Sequence, residues 1–264
     1  MAKLKVSVVQ YLNTVPLVWG MLHGPQLENF EMTFTTPARC ADEVRSGSAA
    51  VGIIPSIELQ RIANLEVIPG VSISSLARVR SVALFSKKPI GKVESVALDR
   101  SSRTSVALLT ILLKKFYGVS PRMTLAEPDG DAMLRMADAA LLIGDPALVY
   151  HGQGVTVYDM AEEWKKFTGL PFVFAVWAGA VDSRLARFAS AFQSSRDYGV
   201  AHIDEIASEH APRHRLSPAQ VKVYLTENIN YNLAGEHLEG LNLFHKLAYE
   251  AGLVPGVQAV RFVK

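Results

Sequence analysis

Cysteine is all but missing. Cys40 is the one thiol in 264 residues, which excludes an intrachain disulfide and the paired-thiol frameworks of zinc ribbons and fingers. Charge of one sign is missing as well. The 27 Lys+Arg against 25 Asp+Glu leave a formal charge of +2, without the basic excess of a dedicated nucleic-acid binder. No apolar run approaches the about 18 residues of a membrane span. Near the N-terminus the apolar stretch Val6–Val9 stops at Gln10. That is short of the about 7–15 residues of a signal-peptide core, and no small-residue cleavage site follows, so the protein is expected in the cytosol. The chain has no GxGxxG, no Walker A sequence and no GxSxG, so nicotinamide, ATP and serine-hydrolase readings lack their motifs. The seven histidines do not cluster. His210 and His214 have i,i+4 spacing, but Pro212 between them argues against a continuous helix there, and no acidic residue sits inside the pair in HExxH fashion. No metal site is expected.

What is present is the composition of a globular α/β protein: 49% hydrophobic and 20% charged. At about 150 residues per domain the length suits two domains or one large one. Leu4–Val9, Phe30–Thr35 and Ala49–Ile54 read as strands, separated by helical segments at Leu17–Leu22 and Ala38–Ser46. The strands are apolar enough to be covered on both faces. Leu65–Ile68 and Val71–Ser74 read as two short strands around Pro69-Gly70. Ser81–Ser86 is a further strand. A second βα unit follows: Val96–Leu98, a helix over Val106–Tyr117, Met123–Ala126, a helix over Asp129–Met136, and Ala139–Ile143. Pro171–Ala178 reads as a long returning strand. From Asp182 onward the pattern is helical, over Ser183–His210, Pro218–Thr226 and Gly235–Glu250. Two α/β units joined by two long strands predict a bilobal protein with a cleft between its lobes. Lobe I is expected to comprise 1–85 plus 176–264, and an inserted lobe II 86–175. No internal repeat is visible.

Three polar segments fall at strand ends, where open α/β sheets bind ligands. In Tyr11-Leu12-Asn13-Thr14-Val15-Pro16, Thr14 can cap a helix with Pro16 in its first turn. Asn13, with a donor and an acceptor, can meet a ligand beyond the strand. Asp99-Arg100-Ser101-Ser102-Arg103-Thr104-Ser105 gathers four hydroxyls and two arginines at a helix start. This is either a cap with spare hydroxyls or an anion site built on free N–H groups and the helix dipole. Ile143-Gly144-Asp145-Pro146 places Asp145 as the cap of the next helix, or as a carboxylate facing a ligand hydroxyl. Trp164, Trp177 and Tyr158 read as core.

The ordered set of segments resembles one family. Gln10–Leu17, Ala50–Glu58, Ser81–Ser86, Asp99–Ser105, Ala140–Asp145 and Thr168–Trp177 are similar to the chorismate dehydratases of the futalosine route to menaquinone. The helical C-terminal third matches in character without a sharp motif. The resemblance implies the periplasmic-binding-protein-like (type II) fold, used inside the cell as an enzyme. It implies loss of water from chorismate to give 3-[(1-carboxyvinyl)oxy]benzoate, with no cofactor and no metal. By position, Asn13 and Ser81 match the family's catalytic residues. Ser102, Thr104 and Ser105 would anchor a substrate carboxylate, and Asp145 would join the substrate-binding set. For the proton-abstracting base, Asp145, Glu58, His151 and the substrate's own enolpyruvyl carboxylate all stand open. Two other functions fit the same cleft: the related 1,4-dihydroxy-6-naphthoate synthase, and a non-catalytic module binding a small anion.

Overall fold

The computed structural model describes residues 3–24, 27–181 and 183–264. The first two residues of the N-terminal segment and Asp182, where the helical third was expected to begin, lie outside the described residues. The chain runs through β1 (Leu4–Val9), α1 (Val15–His23), β2 (Phe30–Thr35), α2 (Pro37–Ser46), β3 (Val51–Pro55) and β4 (Leu65–Ser75). It then enters β5 (Val82–Ser86), β6 (Ser95–Asp99), α3 (Thr104–Ile111), β7 (Arg122–Ala126), α4 (Gly130–Met136), β8 (Ala139–Ile143), α5 (Gly144–Val149), β9 (Thr156–Asp159) and α6 (Met160–Thr168). It returns by β10 (Phe172–Ala180) and ends in α7 (Ser183–Ala201), α8 (Ile203–His214), α9 (Pro218–Val223) and α10 (Glu236–Glu250). Among the described residues no helix is long and apolar enough to cross a membrane.

The strands form two separate five-stranded sheets, ordered β2-β1-β3-β10-β4 and β7-β6-β8-β5-β9. In the first, β1 pairs in parallel with β2 and β3, while β10 lies antiparallel between β3 and β4. In the second, β6 pairs in parallel with β7 and β8, while β5 lies antiparallel between β8 and β9. The lobes thus repeat one topology without repeating a sequence. In each, the antiparallel strand is the one entered after the chain crosses from the other lobe. β3 and β8 are buried at every position, as strands covered on both faces must be. The turn after β1 and the turn after β6 are structural counterparts, and both open onto the space between the sheets.

Several expectations are corrected. The division at 85/86 and 175/176 does not follow the sheets: Val82–Ser86 bonds to β8 and β9, and Phe172–Ala180 runs between β3 and β4 from its first residue. Sheet membership changes between Ser75 and Val82 and again between Asp159 and Phe172. Apolar periodicity marks a buried strand but not its partner. The two short strands around Pro69-Gly70 are one eleven-residue strand with irregular register against β10, and Gly70 (φ 77°) absorbs the kink. The helix over Ser183–His210 is two helices, broken at His202. Pro212 lies inside α8, close enough to its C-terminal end that the lost bond to the carbonyl four residues back does not break it. β9 and α6 had no sequence reading.

Asp159 holds the crossing. Its carboxylate accepts N–H bonds from Val79 (3.1 Å) and Arg80 (2.6 Å) in the linking turn, and from Ala161 and Glu162 at the start of α6. Arg80 sits at φ 63°, a conformation that costs a non-glycine residue about 1 kcal/mol or more, and it precedes Ser81. Across the return crossing, Trp164, Phe172 and Phe244 pack edge to face with centroids 5.0–6.3 Å apart, and the Trp164 indole donates to the Pro171 carbonyl at 3.1 Å. Trp164 and Trp177 are both fully buried core residues.

Candidate active site

Between the sheets lies a cavity at the strand ends, where α/β sheets bind ligands. It is walled by the ends of β1, β3, β6 and β8, with Ile53, Ile143 and Phe174 supplying apolar surface and Tyr11, Asn13, Thr14, Ser102, Arg103, Thr104 and Ser105 the polar groups. Asn13 sits on a short 3-10 turn, Leu12–Thr14, and is 9% exposed. Thr14 does not cap α1 with its side chain; its hydroxyl donates to Asn13 Oδ1 at 3.2 Å, which holds the amide in one orientation.

The segment after β6 faces Asn13 from the other lobe. Buried Asp99 accepts both the amide (2.9 Å) and the hydroxyl (2.6 Å) of Ser101, folding the chain so that α3 starts at Thr104. Ser102 and Ser105 line the cavity beside the first amides of α3, which lack intrahelical partners. Thr104 is differently engaged. Its Oγ1 accepts the Ile57 N–H at 3.2 Å, so this hydroxyl already docks the second lobe on the first. Arg103, on the wall, is held across the lobes by Asp42 (2.9 and 2.8 Å) and Glu58 (3.2 Å). In sequence Arg103 is one of two arginines in the polar run before α3, with nothing local to give it a role.

The remaining candidates are not on this wall. Ser81 is fully buried, its Oγ without a hydrogen-bond partner. Its carbonyl accepts the Gly144 amide at 2.7 Å, and the next residue, Val82, reaches the cavity. The buried Tyr224 hydroxyl lies beside Ser81 and Asn13 without meeting hydrogen-bond geometry to Ser81, and burial pushes its pKa up. Nothing local in the sequence marks Tyr224, which comes from beyond α9. Asp145 does not cap its own helix. Its Oδ1 accepts the Leu12 amide at 2.9 Å and its Oδ2 meets His214 Nε2 at 3.0 Å. It faces a second cavity, of about 430 Å³, on the far side of Tyr11. Glu58 is buried under Arg45 (2.6 Å), Arg61 (3.1 Å) and Arg103. His151 is exposed.

Tyr11 separates the two cavities. Its ring packs on Gly144, where an added Cβ would lie 2.5 Å from the ring atoms, and its hydroxyl is 3.3 Å from Ser101 Oγ. Burial raises the Tyr11 pKa to about 12, with the Ser101 contact opposing the shift, so the phenol is neutral at physiological pH. Among the residues lining the inner cavity, Tyr11 and Arg103 are the ionisable ones. The wall therefore offers hydroxyls, an amide, a guanidinium and helix amides, all suited to holding an anion. It offers no carboxylate or imidazole to take a proton.

Comparison with known proteins agrees with this architecture. Protein AF1704 from Archaeoglobus fulgidus superposes with a TM-score of 0.77 at 17% identity, covering 96% of this chain and 98% of that one. The alkanesulfonate-binding protein SsuA from Xanthomonas axonopodis, bound to MOPS, superposes at 0.67 with 14% identity over 98% and 96% of the two chains. The periplasmic aliphatic sulphonate binding protein of Escherichia coli gives 0.65 at 16% identity, over 97% and 95%. The expected type II periplasmic-binding-protein fold is the fold observed. In sequence, the chain is 32% identical over 258 residues to the chorismate dehydratase of Thermus thermophilus, covering 90% of this chain and 93% of that protein. The family profile described as "Menaquinone biosynthesis" matches residues 4–250. The turn bearing Asn13 and the hydroxyl-rich start of α3 both lie inside that match, and the chain belongs to the menaquinone biosynthesis family.

Proposed function

We infer that this chain is a chorismate dehydratase, a hydro-lyase that converts chorismate to 3-[(1-carboxyvinyl)oxy]benzoate and water. The observation that carries the mechanism is the composition of the inner wall, which has hydroxyls, an amide and the Arg103 guanidinium to hold a dicarboxylate and no carboxylate or imidazole to take a proton. The ring carboxylate makes the C3 proton acidic through the adjacent double bond. Loss of that proton gives a delocalised carbanion-like intermediate, and loss of the neighbouring 4-hydroxyl completes the aromatic ring.

With Glu58 locked under three arginines, Asp145 turned to Leu12 and His214, and His151 exposed, the base is assigned to the enolpyruvyl carboxylate of the substrate itself. The protein's share is then orientation, which can supply about 7–11 kcal/mol of the barrier. Ser102 and Ser105, with the first amides of α3, anchor a carboxylate, and Arg103 places a positive charge beside it. Asn13 hydrogen-bonds the departing hydroxyl, and Ser81 and Tyr224 support Asn13 from behind. The test is incubation with chorismate, following the aromatic product by ultraviolet absorbance and chromatography. Folded protein that binds chorismate but releases no aromatic product would overturn this assignment.

A further inference from the structure

His214 has an acceptor oxygen at each ring nitrogen. Nδ1 lies 2.9 Å from the His210 carbonyl and Nε2 lies 3.0 Å from Asp145 Oδ2. A carbonyl oxygen has no proton to give, so Nδ1 must donate. A neutral imidazole then presents a bare lone pair at Nε2, facing a carboxylate. The contact is satisfied when both nitrogens carry protons, and the shared proton belongs on the imidazole because its ordinary pKa lies above that of an Asp carboxyl. His245 makes the contrast. Its Nδ1 meets the Gln60 amide nitrogen at 2.9 Å, a donor, and its Nε2 meets the Ser56 carbonyl at 3.0 Å, so it is satisfied as a neutral ring.

The other oxygen of Asp145 takes the Leu12 amide at 2.9 Å. Leu12 opens the 3-10 turn that carries Asn13. One carboxylate of the second lobe thus ties α8 to the Asn13 turn of the first. The titratable groups lining the cavity with His214 come from four elements: Tyr11 from the turn, His23 from α1, Asp145 from α5, and Glu209, His210 and Arg213 from α8 itself. Asp145 supports the imidazolium most directly and Arg213 opposes it; burial keeps His210 biased toward its neutral form.

We propose that His214, as an imidazolium, is a positioning residue for the dehydration: through Asp145 it fixes the Tyr11–Thr14 turn, and Asn13 with it, against the second lobe. This rests on the dehydratase reading for its catalytic consequence, while the clasp itself does not. Hydrogen bonding to Asp145 raises the His214 pKa. The clasp is therefore complete below the ordinary histidine range and is lost as pH rises through the raised value. Above it, the Nε2–H is gone, the Asp145 carboxylate loses its second partner, and the turn is free to drift from the substrate.

Two measurements on the full chain test this. In nitrogen-15 NMR of the ligand-free protein, both ring nitrogens of His214 are expected protonated at pH 6.5, titrating above the ordinary value of about 6.5. A single neutral tautomer at pH 6 overturns the clasp whether or not the protein turns over chorismate. For His214→Gln, a neutral donor, kcat at pH 6.5 is expected about tenfold lower with KM changed much less, and the alkaline fall in wild-type kcat should disappear from its pH profile. A His214→Gln enzyme with wild-type kcat and the same alkaline limb overturns the positioning role. If the wild type makes no aromatic product, the dehydratase assignment fails and the NMR titration still decides the clasp.

Discussion

Replacing Gly144 with alanine probes how the two lobes meet. Gly144 has φ 61°, and an alanine held there costs about 1–2 kcal/mol from backbone sterics alone. The new Cβ would also lie 2.5–2.6 Å from three atoms of the Tyr11 ring. Carbon atoms rest at about 3.5–4.0 Å, so the ring must retreat by about 1 Å. The contact with Ser101 is already 3.3 Å and does not survive that movement. The backbone cost is internal to the second lobe, whereas the collision requires Tyr11 of the first lobe in its place against Gly144. The collision is worth about 1–2 kcal/mol beyond the backbone cost, or roughly a 5- to 30-fold loss in affinity for a dicarboxylate bound between the lobes as they stand. A double-mutant cycle separates the two effects. Calorimetric affinities are measured for wild type, Gly144→Ala, Tyr11→Ala and the double variant. The alanine at 144 should cost at least about 1 kcal/mol more when Tyr11 is present. Strict additivity of the two substitutions would refute the Tyr11–Gly144 contact as the seal between the cavities.

Asn13→Ala should lower turnover by about 10²–10³ with a much smaller effect on chorismate binding, because a donor aimed at developing charge acts mainly in the transition state; steady-state kinetics beside calorimetry separates the two. Chorismate esterified at the enolpyruvyl carboxylate should bind without reacting, and product formed at the normal rate would return the base to the protein. Ser105→Ala should weaken dicarboxylate binding about tenfold with little change in urea stability. Thr104→Val should instead lower stability by about 1–3 kcal/mol by stranding the Ile57 amide, a split visible by running both variants through both assays. Glu58→Gln should destabilise the fold by about 2–3 kcal/mol, less than a fully buried pair because Arg45 is 48% exposed, as read from the denaturation midpoint.

The parts of this molecule that sequence reveals are those whose causes are local. β1, β2 and β8 are expected at the residues where they occur, because a β-rich or apolar run marks β1 and β8 and strict alternation marks β2, an edge strand exposed on one side. The start of α3 was legible for the same reason, since Asp99 to Ser105 are neighbours in sequence and fold back on one another. Asn13 was legible from its place past a strand end. Partner choice was not legible. Val82–Ser86 reads as a buried strand, but nothing in its side chains says that β8 and β9 will flank it. Asp145 reads as a helix cap because Pro146 follows it, and the competing donors, Leu12 and His214, lie 133 and 69 residues away. Thr104 reads as a spare hydroxyl until the other lobe presents the Ile57 amide. Tyr224 and His214 stand in helical stretches with no motif, and only the docking of the C-terminal third brings them to the turn.

The place of β10 also sets an order of assembly. Phe172–Ala180 lies between β3 and β4, so the first sheet lacks an interior strand until all of β5 to β9 has been made. Those five strands are contiguous in the chain and complete their own sheet. On a ribosome the inserted lobe can therefore finish first, while β3 and β4 wait with unpaired edges, a condition that invites mispairing between chains. Once the inserted lobe is compact, the ends of the crossing segments are close together, and β10 closes a shorter effective loop than its distance in sequence suggests. A chain stopped at residue 170 should thus retain a folded second lobe and an aggregation-prone first one.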